Sequence, residues 1–399
     1  MIKKIQNLGK ERILEGIFDI SYILFLVSVM INSSKYSMID EVKIFSHIGQ
    51  ILSCLIALCK IGFDFNESFK RKEGINYKKA FIILVMIIST LITGSKTLVY
   101  LAIFIIAAKD IDFNKIAKIT LKVQTLILIF TIVSCKFGII DDLVVYREMK
   151  QRHALGTASP NCLMLQMFQI VMLYVYVKGK DVKIFDLSVL LGLSLIIYSY
   201  TDSRMGMISI IFAILVAIIL KYFNIEKITN KLKFLIKYGV IALALGYIIL
   251  TILYKPFNLV KINQLLSNRL ELSSEALSDY NITLFGNKIK WIGQLTEEEN
   301  IGEEYNYIDS SYLNILLNYG IILLIYSVYC MTSLTSYGYK EKQYLLIFLI
   351  LIIELYCFFD SWLIGIQFNT FLFLLNSKMY PFLTKDRCNS NERNMMYNE

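Results

Sequence analysis

Apolar runs of bilayer-spanning length recur along this 399-residue chain, and they restrict it to helices packed in lipid. A helix needs about 17–22 apolar residues to cross roughly 30 Å of hydrocarbon, and it pairs its backbone polar groups internally as it does so. Such windows fall near 14–32, 44–63, 79–95, 97–108, 119–140, 158–177, 184–201, 205–220, 235–254, 310–333, 343–359 and 361–381, the fourth being the shortest. The expected fold is all-α: a polytopic helical membrane protein of about twelve transmembrane helices. A hydrophobic fraction of 56%, a mean hydropathy of +0.57, 18% charge and three prolines fit that class and no soluble one. With no internal repeat, residues 1–399 read as one integral-membrane domain.

Charge sidedness gives an orientation independently of hydropathy, because Lys and Arg accumulate in loops on the cytoplasmic side. With both termini cytoplasmic, 28 of the 41 basic residues fall in inner loops and 13 in outer ones, five of those 13 within one long segment. The net charge of +9 is therefore a topology signal, and nucleic acid is not an expected partner. The seven cysteines form no Cys-x-x-Cys pair, and His47 and His153 are the only histidines, so a zinc site is not expected.

Two outer segments are longer than plain connections require: 141–157, and 255–308 as the long extracytoplasmic loop. The first carries Asp141, Asp142, Arg147, Lys150, Arg152 and His153, then Ser159-Pro160, which suits a helix start. The second contains Arg269-Leu270-Glu271-Leu272 amid spaced leucines, the pattern of an amphipathic helix on the membrane, and then an acidic patch at Glu297–Glu299 and Glu303-Glu304.

Arg147, Arg152 and Arg269 stand on the side where positive charge is disfavoured. Guanidinium forks match phosphate oxygens, so these residues either converge on a pyrophosphate group or meet bulk lipid phosphates and nearby Glu. Asp309 precedes the tenth window and is either a half-buried general base or a helix N-cap. Ser311, Asn314 and Asn318 follow it on one helix face. Arg204 and Lys96 sit in tight hairpins between windows, where snorkelling competes with substrate contact. Glu354 lies inside a window, as a functional group or as the partner of a buried Tyr. Tyr305, Tyr307, Tyr312 and Trp291 can stack on sugars or anchor the interface. Asp110-Ile111-Asp112 lies in a loop too short for a nucleotide-sugar domain, and Gly94-Ser95-Lys96-Thr97 lacks phosphate-loop spacing. Any bond the chain makes must draw on an already activated donor.

Taken in order, Thr93-Gly94-Ser95-Lys96-Thr97, Arg152-His153-Ala154-Leu155-Gly156 with Pro160-Asn161, Asp202-Ser203-Arg204, Asn268-Arg269-Leu270, Leu284-Phe285-Gly286, and Asp309-Ser310-Ser311-Tyr312-Leu313 with Gly320 form a pattern. In these motifs the chain resembles the Wzy-type polysaccharide polymerases of the O-antigen ligase and polymerase superfamily. The ligase branch carries His where Asp309 stands, with the same nine-residue spacing to the glycine, and this departure favours polymerase. The resemblance implies a metal-independent glycosyltransferase without cofactor, on the outer face of the bacterial plasma membrane, acting in capsule or exopolysaccharide synthesis. Its donor and acceptor would be undecaprenyl-diphosphate-linked oligosaccharides, with a flippase and a chain-length regulator as neighbours. It further implies catalytic roles for Asp309, Arg269 and Arg152, and contact with diphosphate or glycan for Arg147, Arg204, Lys96, Ser310 and Tyr312. A ligase-like transfer to another acceptor is the near alternative. A flippase or transporter is the distant one, and two similar halves without a long outer loop would mark it.

Overall fold

A computed structural model describes residues 2–71, 77–147, 149–223, 231–292 and 306–379. Among them are fourteen α-helices and one two-stranded hairpin. The helices are α1 (Ile2–Asn32), α2 (Asp40–Lys70), α3 (Tyr77–Thr93), α4 (Lys96–Ala107), α5 (Phe113–Lys136), α6 (Pro160–Lys178), α7 (Ile184–Thr201) and α8 (Arg204–Tyr222). They continue as α9 (Lys233–Leu253), α10 (Val260–Leu265), α11 (Arg269–Asp279), α12 (Ser311–Tyr319), α13 (Ile321–Lys340) and α14 (Tyr344–Cys357). Several starts are set by side-chain caps. Ser95 accepts from the Thr97 N–H at 3.3 Å, Asp112 from Asn114 at 3.0 Å, and Ser159 from Cys162 at 3.1 Å, with Pro160 in the first turn.

Among the described residues, eight helices are long and apolar enough to cross a membrane, and three shorter apolar ones accompany them. The window on α6 is 72% buried against 17% for α7, which makes α6 the central helix and α7 a peripheral one. α6 packs on α5, α7 and α8; α8 packs on α14; α1 lies along α2 and α5; α13 joins α9 to α14. On α2, Ile44, Phe45, Ile48, Ile51, Leu52, Leu55 and Leu58 form a continuous exposed apolar stripe, a face suited to lipid chains.

Two of the twelve windows depart from expectation. The 310–333 window is broken at Gly320, whose φ of +92° ends α12 after nine residues and re-aims the chain into α13. A Cβ there would strike the Leu284 backbone, so the break is where the Leu284-Phe285-Gly286 strand of chain lies against the helix. The last window contains no α-helix between 361 and 379, only turns and a 3₁₀ segment, Thr370–Leu375. Polar side chains, two from neighbouring helices and one from the segment itself, bond into this stretch. The Gln124 amide donates to the Gln367 carbonyl, Gln169 bonds the Thr370 hydroxyl at 2.7 Å, and Asn369 donates to the Leu363 carbonyl at 2.9 Å. Gln124 and Gln169 are themselves buried, so this irregular chain is enclosed by protein, the condition under which a membrane fold tolerates it.

The described parts of the two long segments also contain regular structure. Within 141–157, β1 (Val144–Arg147) pairs antiparallel with β2 (Lys150–His153), Val145 opposite Arg152. Within 255–308, α11 turns Leu270, Ser273, Ser274 and Ala276 inward, and Tyr247 of α9 meets the Ser273 hydroxyl at 2.8 Å. Its buried face therefore packs on the helical bundle, where the leucine spacing alone suggested a membrane surface. Glu297–Glu299, Glu303, Glu304 and Tyr305 lie outside the described residues.

Backbone hydrogen bonds gather the chain at one end of the bundle. Ala158 donates to the Ser33 carbonyl at 3.1 Å, Lys35 to Gly156 at 2.9 Å, and Ser311 to Asp360 at 3.1 Å.

Candidate functional site

α7 stops at Thr201 because Asp202 takes a left-handed conformation, φ 47°, and Arg204 opens α8 two residues later. The Asp202 carboxylate is nearly buried and gathers cations: Lys150 at 2.7 Å, Arg147 at 3.8 Å and Arg204 at 4.0 Å. Burial opposes its ionisation, but the Lys150 hydrogen bond and the charges of Lys150, Arg204 and Arg147 prevail and hold the carboxyl below its ordinary range. One anion thus seats the hairpin against the α7–α8 turn and aligns two arginines.

Arg152 lies behind this turn, 3% exposed. Its Nε donates to the Thr201 carbonyl at 2.6 Å and its Nη2 to Asn161 Oδ1 at 2.7 Å, which ties β2 to the end of α7 and the start of α6. Burial, reinforced by Arg147, pushes its guanidinium down to about 10. Arg152 therefore positions its surroundings.

Arg269 is delivered by a tight reversal. Ser267 and Asn268 are both left-handed, φ 55° and 62°, and the buried Asn263 Oδ1 accepts from the Leu270 and Glu271 N–H groups at 3.1 and 3.2 Å, capping α11 from outside. Arg269 Nε donates to Asp309 Oδ2 at 2.8 Å, with both side chains mostly buried. Burial works against the guanidinium charge, yet Asp309 and Asp360 outweigh it and raise Arg269 above its ordinary value. Ser310 occupies the N-cap position of α12 and makes no side-chain cap bond, so the Asp309 carboxylate serves the arginine.

Arg147, Arg204 and Arg269 line one small cleft, together with Asn161, Ser203, Ser267, Tyr356, Phe359 and Asp360. Three guanidinium groups come from three distant segments. The carboxylate among them, Asp360, accepts from the Ser361 N–H at 2.9 Å through Oδ1. Burial and the neighbouring Asp309 charge push it up to about 7, with Arg269 pulling the other way. Asp360 is not among the residues that the sequence pattern marked as candidates. Its signal was an acidic residue alone between two apolar windows, on the same side as the arginines.

The other expected site residues lie off this cleft. Lys96 is exposed at the start of α4, where the adjacent Ser95 hydroxyl meets Tyr319 at 3.1 Å. Ser310 is fully buried. Tyr312 is also fully buried and donates to Glu354 Oε2 at 2.8 Å, so it offers no ring to a sugar, and Glu354 has the tyrosine partner weighed for it. Trp291 donates to Asn318 at 2.8 Å, Tyr307 bonds the Ser361 hydroxyl, and His153 pairs with Asp142 at 2.8 Å.

The cleft gathers guanidinium donors of the kind that bind an anion, and one carboxylate beside them. Comparison with family models, curated proteins and solved structures gives no match for this chain.

Proposed function

We propose that this chain is a Wzy-type polysaccharide polymerase, a twelve-span glycosyltransferase of the bacterial plasma membrane. On this reading both termini are cytoplasmic, and the enzyme joins undecaprenyl-diphosphate-linked repeat units on the outer face. The observation that carries the reading is the cleft: Arg147, Arg204 and Arg269 surround one carboxylate at one end of a membrane-compatible helical bundle.

The acceptor hydroxyl attacks the anomeric carbon of the donor sugar, a new C–O bond forms, and the bond to the diphosphate oxygen breaks with its electron pair leaving on phosphate. The three guanidinium groups hold that diphosphate, where negative charge grows in the transition state. Asp360 accepts the hydroxyl proton. It lines the cleft, whereas Asp309 is committed to Arg269 and acts by fixing that side chain. No step calls on a metal ion.

Purified protein in vesicles with lipid-linked repeat units tests this. Elongation is expected in the wild type, with a drop of about 100-fold in Arg269→Gln, the scale of losing one transition-state donor. Transbilayer movement of the lipid without elongation would make the protein a transporter, and transfer to a non-glycan acceptor a ligase.

A further inference from the structure

A second cleft, larger than the first, opens at the same end of the bundle and belongs to no site assigned so far. Asn32 and Ser33 border it at the end of α1, Gln50 in α2, Thr97 and Tyr100 at the start of α4, and Gln367 in the irregular chain after α14. Two links fix it beside the cationic cleft. The Ser33 carbonyl is bonded by Ala158, three residues before Asn161 of the first cleft. The segment 359–367 contributes Phe359 and Asp360 to one cleft and Ile366 and Gln367 to the other, so it is a wall common to both.

The chemistry of the lining is unlike that of its neighbour. Among the described residues, no charged side chain borders it. A phosphate would find no cation there, a cation no carboxylate, and an acyl chain would strip amides and hydroxyls of water without replacing their hydrogen bonds. Amide and hydroxyl side chains around one aromatic ring, with Val29 and Ile366 as the apolar part of the lining, fit a neutral, polyhydroxylated ligand with its mix of hydroxyls and C–H faces. Gln50 carries the sharpest signal. It is only 5% exposed, its Oε1 accepts from the Tyr100 hydroxyl at 2.9 Å, and its Nε2 donates to no protein atom among the described residues. A buried amide oriented by a tyrosine, with its donor unspent, is a prepared contact.

We propose that this second cleft is a carbohydrate subsite, holding neutral sugar units of the glycan while the cationic cleft holds the diphosphate. The inference rests on the polymerase reading and deepens it by separating recognition of the glycan from recognition of its leaving group.

The test is titration of the full chain in lipid nanodiscs, which avoids sugar-headed detergents, with two kinds of probe. One is inorganic pyrophosphate; the other is a panel of soluble neutral oligosaccharides of two to six hexose or N-acetylhexosamine units. At least one oligosaccharide should bind saturably. Gln50→Ala should weaken it roughly five- to tenfold, the scale of one uncharged hydrogen bond, and leave pyrophosphate binding unchanged. Thr97→Val, a near-isosteric change, should act in the same direction and covers the case in which Gln50→Ala unfolds. Absence of binding across the panel, or binding indifferent to both substitutions, would overturn the subsite. Loss of pyrophosphate binding in Arg269→Gln alone reports on the polymerase reading, so the two ideas fail separately.

Discussion

Arg152 and Arg204 are separated by the α7–α8 turn, and the structure gives them opposite duties that one pair of substitutions can dissociate. Arg152 is buried and spends two charged hydrogen bonds on Thr201 and Asn161. Such bonds are worth about 1.5–3 kcal/mol each, and relief from burying a guanidinium offsets part of the loss, so Arg152→Ala should cost about 3 kcal/mol of stability. Arg152→Lys should recover less than half of it, because one ammonium cannot span two acceptors fixed for a planar fork. Arg204, with its side chain 59% exposed and only a 4.0 Å contact to Asp202, should lose less than about 0.5 kcal/mol on replacement by Ala. Anion binding should behave in reverse. Arg204→Ala removes a cleft charge and should weaken pyrophosphate about tenfold, near the low end for one charge contact close to a protein surface. Folded Arg152→Lys should bind it within about threefold of wild type, roughly 0.6 kcal/mol. Thermal unfolding in nanodiscs and pyrophosphate titration on the same samples read both quantities. If Arg152→Lys keeps full stability yet loses pyrophosphate, Arg152 is a ligand and its place as a support is wrong.

Gly286 and Gly320 both carry positive φ, 96° and 92°, and each would drive a Cβ into the other's backbone neighbourhood. Either Gly→Ala change should cost more than about 3 kcal/mol through strain and overlap, seen as lost monodisperse expression, whereas the unhindered Gly246→Ala should be neutral or better. Asp360, pushed up to about 7, is neutral below that pH and an anion above it. Sulfate, which does not titrate in this range, should therefore bind roughly threefold or more tightly at pH 6 than at pH 8, and Asp360→Asn should flatten the profile. Met149, 99% exposed in the hairpin turn, is the residue for a topology test. In a cysteine-free background, Met149→Cys should react with an impermeant thiol reagent from outside the cell, and reaction only after permeabilisation would invert the orientation.

The helical membrane fold was legible because its signal is repeated: each long window states the same constraint, and α1, α2, α6, α7, α8 and α9 begin or end within a few residues of where hydropathy put them, α1 apart at its start. What hydropathy could not register was polar supply from elsewhere in the chain. The 361–379 stretch is apolar enough to read as a helix, and in its irregular course the Gln367 carbonyl is met by Gln124 and the Thr370 hydroxyl by Gln169, both more than 190 residues upstream. The 310–333 window reads as one helix because Gly320 is a mild breaker by propensity; the clash that demands a bend there lies with Leu284 and Gly286, a contact invisible to any local pattern.

The site divides along the same line. Residue chemistry and sidedness identified which arginines to suspect, but not which would face a ligand, since a guanidinium in a polar segment reads alike whether it lines a cleft, as Arg147 does, or is buried as a brace, as Arg152 is. Asp309 drew attention through its place at a helix start, and that place explains least about it: its carboxylate lies 2.8 Å from Arg269, forty residues away. Asp309 Oδ2 is occupied by the hydrogen bond from Arg269 Nε, and Asp309 is not among the residues that line the cleft. A second carboxylate is then needed wherever a hydroxyl must be deprotonated beside the same cation, and Asp360 is the acidic side chain that lines the cleft with Arg269. On the polymerase reading, the pairing of Asp309 with Arg269 leaves the proton transfer to Asp360, and Asp309→Asn should disturb diphosphate affinity while leaving intact the pH limb of elongation that Asp360→Asn abolishes.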